Sequence, residues 1–216
     1  MSYFPLFFDF KNKSILMIGG GQTALEKTRR LLATQAELTI CAPEILPKLR
    51  SMSVQKKIQL IGRGWMISDL DNRDLVIAAT NDYFENERIA KTCKNKRILC
   101  NVVDNAKLSD CIFGAVITQG DLAIGISTSG ASPSAAIYLK KQIQSLIPDD
   151  FDAILESLGK LRPVLIERYP DQKKRSLLFH RLFEACLKQN APLTRFQLES
   201  LLEDFDNQKP ENSNDR

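Results

Sequence analysis

Residues 14–24 read Ser-Ile-Leu-Met-Ile-Gly-Gly-Gly-Gln-Thr-Ala, a short apolar run that feeds a G-x-G-x-x-A turn. The run from Ile15 to Ile18 suits a strand buried on both faces. The glycines turn the chain without side chains, and a helical pattern follows. Backbone N–H groups at such a helix start lack partners in the helix itself, and the helix dipole favours negative charge beside them. Gly19 is expected to make the tight turn and Gly21 to let a pyrophosphate approach the backbone. Ala24 stands where a third glycine usually lets helix and strand pack.

The flanks strengthen this reading. Ala24, Thr28, Leu31 and Leu32 fall on one helical face, whereas Glu26, Lys27, Arg29 and Arg30 point elsewhere. Glu37–Cys41 then reads as a second strand. Strand, glycine turn, helix and strand in this order make a dinucleotide site; the alternative is a turn that only lets strand and helix pack. One feature is missing. An NAD fold usually carries Asp or Glu about 20 residues on, to hold the ribose hydroxyls. Here that position is Cys41, followed by Ala42, Pro43 and Glu44. The adenosine end is left to loop backbone or to Glu44, so the residues do not choose between NAD and NADP. The absence of Arg directly after the strand disfavours a 2′-phosphate.

The rest of the first half alternates strand and helix. Strands are expected at Ile58–Ile61, Leu75–Ala79 and Ile98–Val103, and helices at Thr23–Thr34 and Glu85–Lys94. That alternation gives a parallel sheet with ligands outside its carboxyl edge. Near Ser109 the pattern changes. Cys111–Thr118 and Leu122–Ser127 flank Gln119-Gly120-Asp121 as a hairpin. Ser132 caps a helix that starts at Pro133 and runs to Ile147. A hairpin and one helix cannot bury both faces alone, which points to a dimer interface. Helical patterns follow at Phe151–Leu161, Pro163–Tyr169, Gln172–Leu187 and Thr194–Phe205, with Thr194 and Gln197 as a capping box. The expected fold is α/β: a Rossmann-like parallel sheet (residues 1–110), a small hairpin/helix dimerisation segment (111–148), a helical C-terminal domain (149–206) and a disordered polar tail (207–216).

Composition narrows the function classes. Net charge is +4, too mild for a nucleic-acid footprint, and aromatic residues make up only 7% with no stacking pattern. The five cysteines include no C-x-x-C pair, which suggests buried thiols in a reducing compartment and argues against a disulfide framework or zinc site. A single histidine, His180, excludes a His-rich metal site. Neither a signal peptide nor a membrane-spanning run is visible, so a cytoplasmic protein is expected, with no membrane partner.

Five stretches in this order resemble one family: Pro5-Leu6-Phe7, Gly19-Gly20-Gly21, Ile77–Asp82, Asn101-Val102-Val103-Asp104 and Ser127–Pro133. The chain resembles the precorrin-2 dehydrogenase / sirohydrochlorin ferrochelatase family, the dehydrogenase module of sirohaem synthases. It looks like a stand-alone form without the methyltransferase module. The resemblance implies NAD as cofactor, precorrin-2 as substrate and a homodimer. It leaves open whether Fe²⁺ is also inserted into sirohydrochlorin. By the same resemblance Asp104 is the catalytic base, and a transient metal contact if the chelatase activity is present; a bland turn before Asn105 is the alternative. Gln22 and Thr23 are implied in pyrophosphate contacts, Pro43 and Glu44 in adenosine-side contacts, and Thr80 and Asn81 in the loop crossing the cofactor. For Thr80 and Asn81 a helix cap is the competing reading. Asn101, Ser127 and Thr128 are implied on the substrate side, with dimer packing as the alternative for Thr128. His180 and the basic run Lys173-Lys174-Arg175 read more simply as helix surface. A non-catalytic sensing dimer would need the glycine turn and the interface but not Asp104.

Overall fold

β1 (Ser14–Ile18) sits at the centre of a five-stranded parallel sheet of order β3-β2-β1-β4-β5. Its neighbours are β2 (Glu37–Cys41) and β4 (Leu75–Ala78), with β3 (Gln59–Ile61) and β5 (Leu99–Val102) at the edges. Met17 lies in register between Ile40 and Ile77. The continuous apolar run of β1 is explained by burial on both faces. Ile15 and Met17 pack with Ala24, Leu25 and Leu31 of α1 (Gln22–Leu32). Leu16 and Ile18 pack with Ile89, Ala90 and Cys93 of α3 (Tyr83–Lys96). From β1 the chain moves first toward β2 and β3, then returns past β1 to β4 and β5. The crevice this reversal leaves outside the carboxyl end of β1 is where open α/β sheets bind ligands.

This computed structural model describes residues 3–55, 57–103 and 105–207. The chain forms two compact units, Met1–Phe113 with Ser129–Ala131, and Gly114–Thr128 with Ser132–Arg216. In the second unit β6 (Ala115–Gln119) and β7 (Leu122–Ile126) form the expected hairpin, turning at Gly120 with φ +54°. The helices are α4 (Pro133–Gln144), α5 (Phe151–Arg168), α6 (Gln172–Gln189) and α7 (Arg195–Asn207). Leu165, Tyr169, Leu178, Leu182 and Phe205 form the core of the last three. The Ser132 hydroxyl caps α4 by accepting from Ala135 N–H at 3.2 Å. The Thr194–Gln197 box closes in both directions, at 2.9 and 3.3 Å.

Three expectations are corrected, and one helix is new. The sequence pattern did not reveal α2 (Pro47–Val54), which buries only Leu49 and so shows no apolar stripe. The strand expected at Cys111–Thr118 starts at Ala115, because Cys111 turns its carbonyl to the Asn101 amide at 2.9 Å. Helix α4 stops at Gln144 rather than Ile147. Pro163, expected to separate two helices, lies inside a continuous α5. Proline in a helix interior costs about 3 kcal/mol. Ile154 and Leu165, on either side of it, are 0% and 1% exposed. Each such burial returns about 1.5–3 kcal/mol, enough to hold the helix together. Asn207 ends α7 and the remaining tail residues lie outside the described residues.

Candidate coenzyme site

The three glycines after β1 do three different things. Gly19 has φ +131°, and a Cβ on it would stand 2.2 Å from the Ala79 carbonyl oxygen. Its N–H donates to Cys41 O at 3.0 Å, which locks the turn to the end of β2. A Cβ on Gly20 would stand 2.1 Å from Glu44 O, and Gly20 O accepts from Leu46 N–H at 3.0 Å. Gly20 therefore lets the segment after β2 close against the turn. The motif, which leaves that position free, did not single it out. Gly21 is the opposite case: among the described residues no atom lies within 4 Å of the place its Cβ would take. It is the N-cap of α1 and supplies no side-chain hydrogen bond to the first turn.

A cavity of about 600 Å³ opens on this turn. Gly19–Thr23 form one wall, and Thr80 and Asn81 after β4 form another. Cys41, Pro43 and Glu44 after β2 line it as well, so all eight residues expected at the cofactor come together here. An uncapped helix start, open space over Gly21 and a bare backbone cradle fit a diphosphate. Gln22 turns its amide along the helix to Glu26 at 2.9 Å. Thr80 is held from behind: its hydroxyl lies 2.7 Å from Asn86 Oδ1. The cap of α3 falls to Asp82, which accepts from Phe84 and Glu85 N–H at 2.8 and 3.2 Å. Among the cavity residues that escaped the sequence reading are Trp65 and Glu85, along with Ile45, Leu46, Pro47 and Gly64. Neither Trp65 nor Glu85 belongs to a spaced motif; the only hint is that Trp65 is the single tryptophan of the chain.

The expected ribose acid is replaced by an uncharged thiol. Burial, with the Asp69 carboxylate second, pushes the Cys41 thiol up. Asp69 is bound bidentately by Arg63 at 2.8 Å through both oxygens, and that guanidinium holds its carboxyl below the ordinary range. The pair lies beside Cys41, with its Sγ 3.4 Å from Arg63 O.

The residues implied on the substrate side do not line this cavity. Asn101 is 4% exposed on β5; its Nδ2 donates to Cys111 O, and its Oδ1 has no partner among the described residues. The Thr128 hydroxyl closes the turn before α4, 3.2 Å from Ser132 N and 3.0 Å from Ser132 O. Ser127 belongs to the second unit with Thr128. Asp104 lies outside the described residues. Among the described residues no group of three His, Cys, Asp or Glu side chains is placed to hold a metal ion. No described helix is long and apolar enough to cross a membrane.

The glycine turn at the switch point of the sheet, opening on this cavity, defines a dinucleotide-binding α/β protein. A family model described as NAD(P)-binding matches residues 6–115, and the chain belongs to that family. It is 33% identical over 183 residues to siroheme synthase 1 of Aeromonas hydrophila, covering 85% of this chain and 39% of the relative. Siroheme synthase of Thioalkalivibrio sulfidiphilus is 33% identical over 184 residues, with 85% and 38% covered. The chain thus spans about two fifths of the length of these curated relatives. Among solved structures, SirC, a precorrin-2 dehydrogenase, shares the fold with a TM-score of 0.70. That match has 23% identity and covers 95% of this chain and all of the other.

Proposed function

We propose that this chain oxidises precorrin-2 to sirohydrochlorin with NAD⁺, in the synthesis of sirohaem. The observation that carries the reading is Gly21: an empty Cβ position at an uncapped helix start, facing a cavity at the switch point of a parallel sheet. The similarity to siroheme synthases supports the substrate. NAD⁺ bound in the cavity supplies the hydride acceptor. The protein's own residues position it and take the proton. Gly21–Thr23 offer backbone N–H groups to the diphosphate at the uncapped helix start, and Gly19, whose own N–H goes to Cys41 O, makes the turn. Glu44 brings a carboxylate to the cavity lining, which favours a free ribose over a phosphorylated one.

Asp104 is the proposed base. The residues around it are well anchored. Val103 N–H donates to Ala78 O at 2.9 Å, Asn105 Oδ1 accepts from Leu108 N–H at 3.3 Å, and the Ser109 hydroxyl lies 2.8 Å from Val102 N. In sequence Asp104 follows β5, and open α/β sheets bind their ligands outside the carboxyl ends of the strands. The same group is proposed to accept pyrrole protons if Fe²⁺ is a second substrate. Asn101, Ser127 and Thr128 are kept as substrate-side residues.

A homodimer in the cytoplasm completes the proposal. Its support is the exposed apolar side of α4, where Ile137 and Tyr138 are 54% and 62% exposed, and five free cysteines. The hairpin/helix segment 111–148 would form the interface and 149–206 the helical domain. The test is to mix the purified protein with NAD⁺ and precorrin-2 and follow the absorbance of sirohydrochlorin. Its appearance supports the reading. No turnover by folded protein that binds NAD⁺ would overturn it and favour a sensing role. Adding Fe²⁺ to sirohydrochlorin tests the chelatase step in the same way.

A further inference from the structure

The cavity has a wall that the glycine motif does not account for. Trp65 lies in the loop after β3 and is 8% exposed, packed in the same core cluster as Leu70 and Ile89. Its indole N–H donates to Glu85 Oε1 in the first turn of α3. Glu85 is gripped in turn by Arg88, whose Nε and Nη2 reach Oε2 and Oε1 at 3.0 and 2.7 Å. The Arg88 guanidinium also lies over the indole ring, 4.6 Å from its centroid. Three side chains thus close a triangle: indole to carboxylate, carboxylate to guanidinium, guanidinium to indole. Trp65 and Glu85 both line the cavity.

The triangle ties together two segments that the sheet keeps apart. β3 is an edge strand, β4 lies beyond β1, and β2 and β1 run between them. A link from the loop after β3 to the helix after β4 therefore passes the carboxyl ends of the central strands. A dinucleotide anchored by its diphosphate at Gly21 extends in two directions. Its adenosine half runs toward the end of β2, where the ribose acid of NAD folds stands. Here that end is Cys41, which lines the same cavity as Trp65. With no acid at Cys41, the adenosine half needs another anchor, and a fixed aromatic surface is the kind that takes a base of any pattern.

We propose that Trp65, fixed by Glu85 and Arg88, is the adenine wall of the coenzyme site and the main affinity determinant for the adenosine half. This rests on the coenzyme part of the proposed function, not on the substrate or the reaction. Trp65 is a positioning residue: it holds the base so that the rest of the coenzyme reaches the far end of the cavity.

Because Trp65 is the chain's single tryptophan, its emission reports on this wall alone. The experiment uses the full chain without precorrin-2 and titrates AMP, nicotinamide mononucleotide and NAD⁺ separately. AMP and NAD⁺ are expected to change the emission and to compete with each other, while nicotinamide mononucleotide leaves it unchanged. By calorimetry, Trp65→Ala is expected to weaken AMP and NAD⁺ about tenfold or more and to leave nicotinamide mononucleotide unaffected. Trp65→Phe keeps an aromatic surface and is expected to retain most of the affinity, with circular dichroism confirming the fold. A packing role alone would not separate the two half-coenzymes. An emission change with nicotinamide mononucleotide but not AMP would overturn the assignment, as would undiminished AMP affinity in Trp65→Ala. Failure of NAD⁺ itself to bind would overturn the coenzyme site as well, so the two failures are distinct.

Discussion

Asn86 grips Thr80 from both sides of its amide: Oδ1 lies 3.2 Å from Thr80 N and 2.7 Å from the Thr80 hydroxyl, while Nδ2 donates to Thr80 O at 3.0 Å. Asn86 is 7% exposed on α3, and Thr80 forms part of the cavity wall. One side chain thus satisfies both backbone groups of a loop residue that has left the sheet. Asn86→Ala removes both partners from a half-buried loop. A loss of about 1–3 kcal/mol is expected, read as a Tm lower by about 2–4 °C for each kcal/mol. NAD⁺ affinity should fall with it, because the wall beside the glycine turn loses its support. A variant with unchanged Tm and affinity would remove this role from Asn86.

The glycines allow a paired test in which neighbouring residues give opposite results. At Gly20 a new Cβ meets the Glu44 carbonyl oxygen at 2.1 Å and the Ile45 Cα at 2.9 Å, both of them backbone atoms. Gly20→Ala is expected to cost about 1–3 kcal/mol of stability, as overpacking does. At Gly21 the new side chain meets open space, and φ is −87°, a value any residue adopts. Gly21→Asp is expected to change stability by no more than about 0.5 kcal/mol. It should abolish NAD⁺ binding, since a carboxylate then occupies the diphosphate position. Thermal unfolding and calorimetry on the two variants check both halves. Unchanged NAD⁺ affinity in Gly21→Asp would count against the phosphate turn.

These contrasts show what a one-dimensional pattern carries. Ile15–Ile18 and the glycine turn reveal the central strand and the cofactor crevice because burial on two faces and a bare backbone leave direct marks on residue type. Glu44 is legible as the acid nearest the missing ribose position, Pro43, Thr80 and Asn81 rest on the family resemblance, and all four line the same cavity. Trp65 and Glu85 left no mark, because their link joins the loop after β3 to α3 across the strand ends, at no fixed spacing. Pro163 misled the reading for a similar reason. The local rule for proline is strong, but burial of Ile154 and Leu165, which only the tertiary packing shows, outweighs it.

Asp69 gives the coenzyme unit an acid-sensitive support. The Arg63 guanidinium, and then the Met66 N–H, hold its carboxyl below the ordinary range, although burial opposes them. A carboxylate with a depressed value in the folded state contributes its stability above the value it has unfolded. That contribution is lost as pH falls through the lower, folded value. The wild type should therefore lose Tm steeply on acidification below the ordinary carboxylate range. Asp69→Asn should be less stable at neutral pH, with a shallower acid limb. Parallel limbs for the two proteins, measured by thermal unfolding across pH, would take this role from the Arg63–Asp69 pair.

The proposed base makes the sharpest separation between holding the coenzyme and using it. The described lining of the cavity includes Gly19–Thr23, Thr80 and Asn81, and the proposed diphosphate contacts are assigned to that backbone. Asp104→Ala is expected to retain NAD⁺ affinity and the proposed dimer. It should lose most precorrin-2 oxidation, by about 10²–10⁴-fold if general base catalysis is its whole contribution. Asp104→Asn keeps the size but cannot take a proton, so it should lose as much as Asp104→Ala. Steady-state rates for both variants, with NAD⁺ titrations alongside, separate the outcomes. A variant that binds the coenzyme and turns over at the wild-type rate would move the proton to another acceptor. A variant that loses coenzyme binding as well would make Asp104 part of the cradle rather than the base.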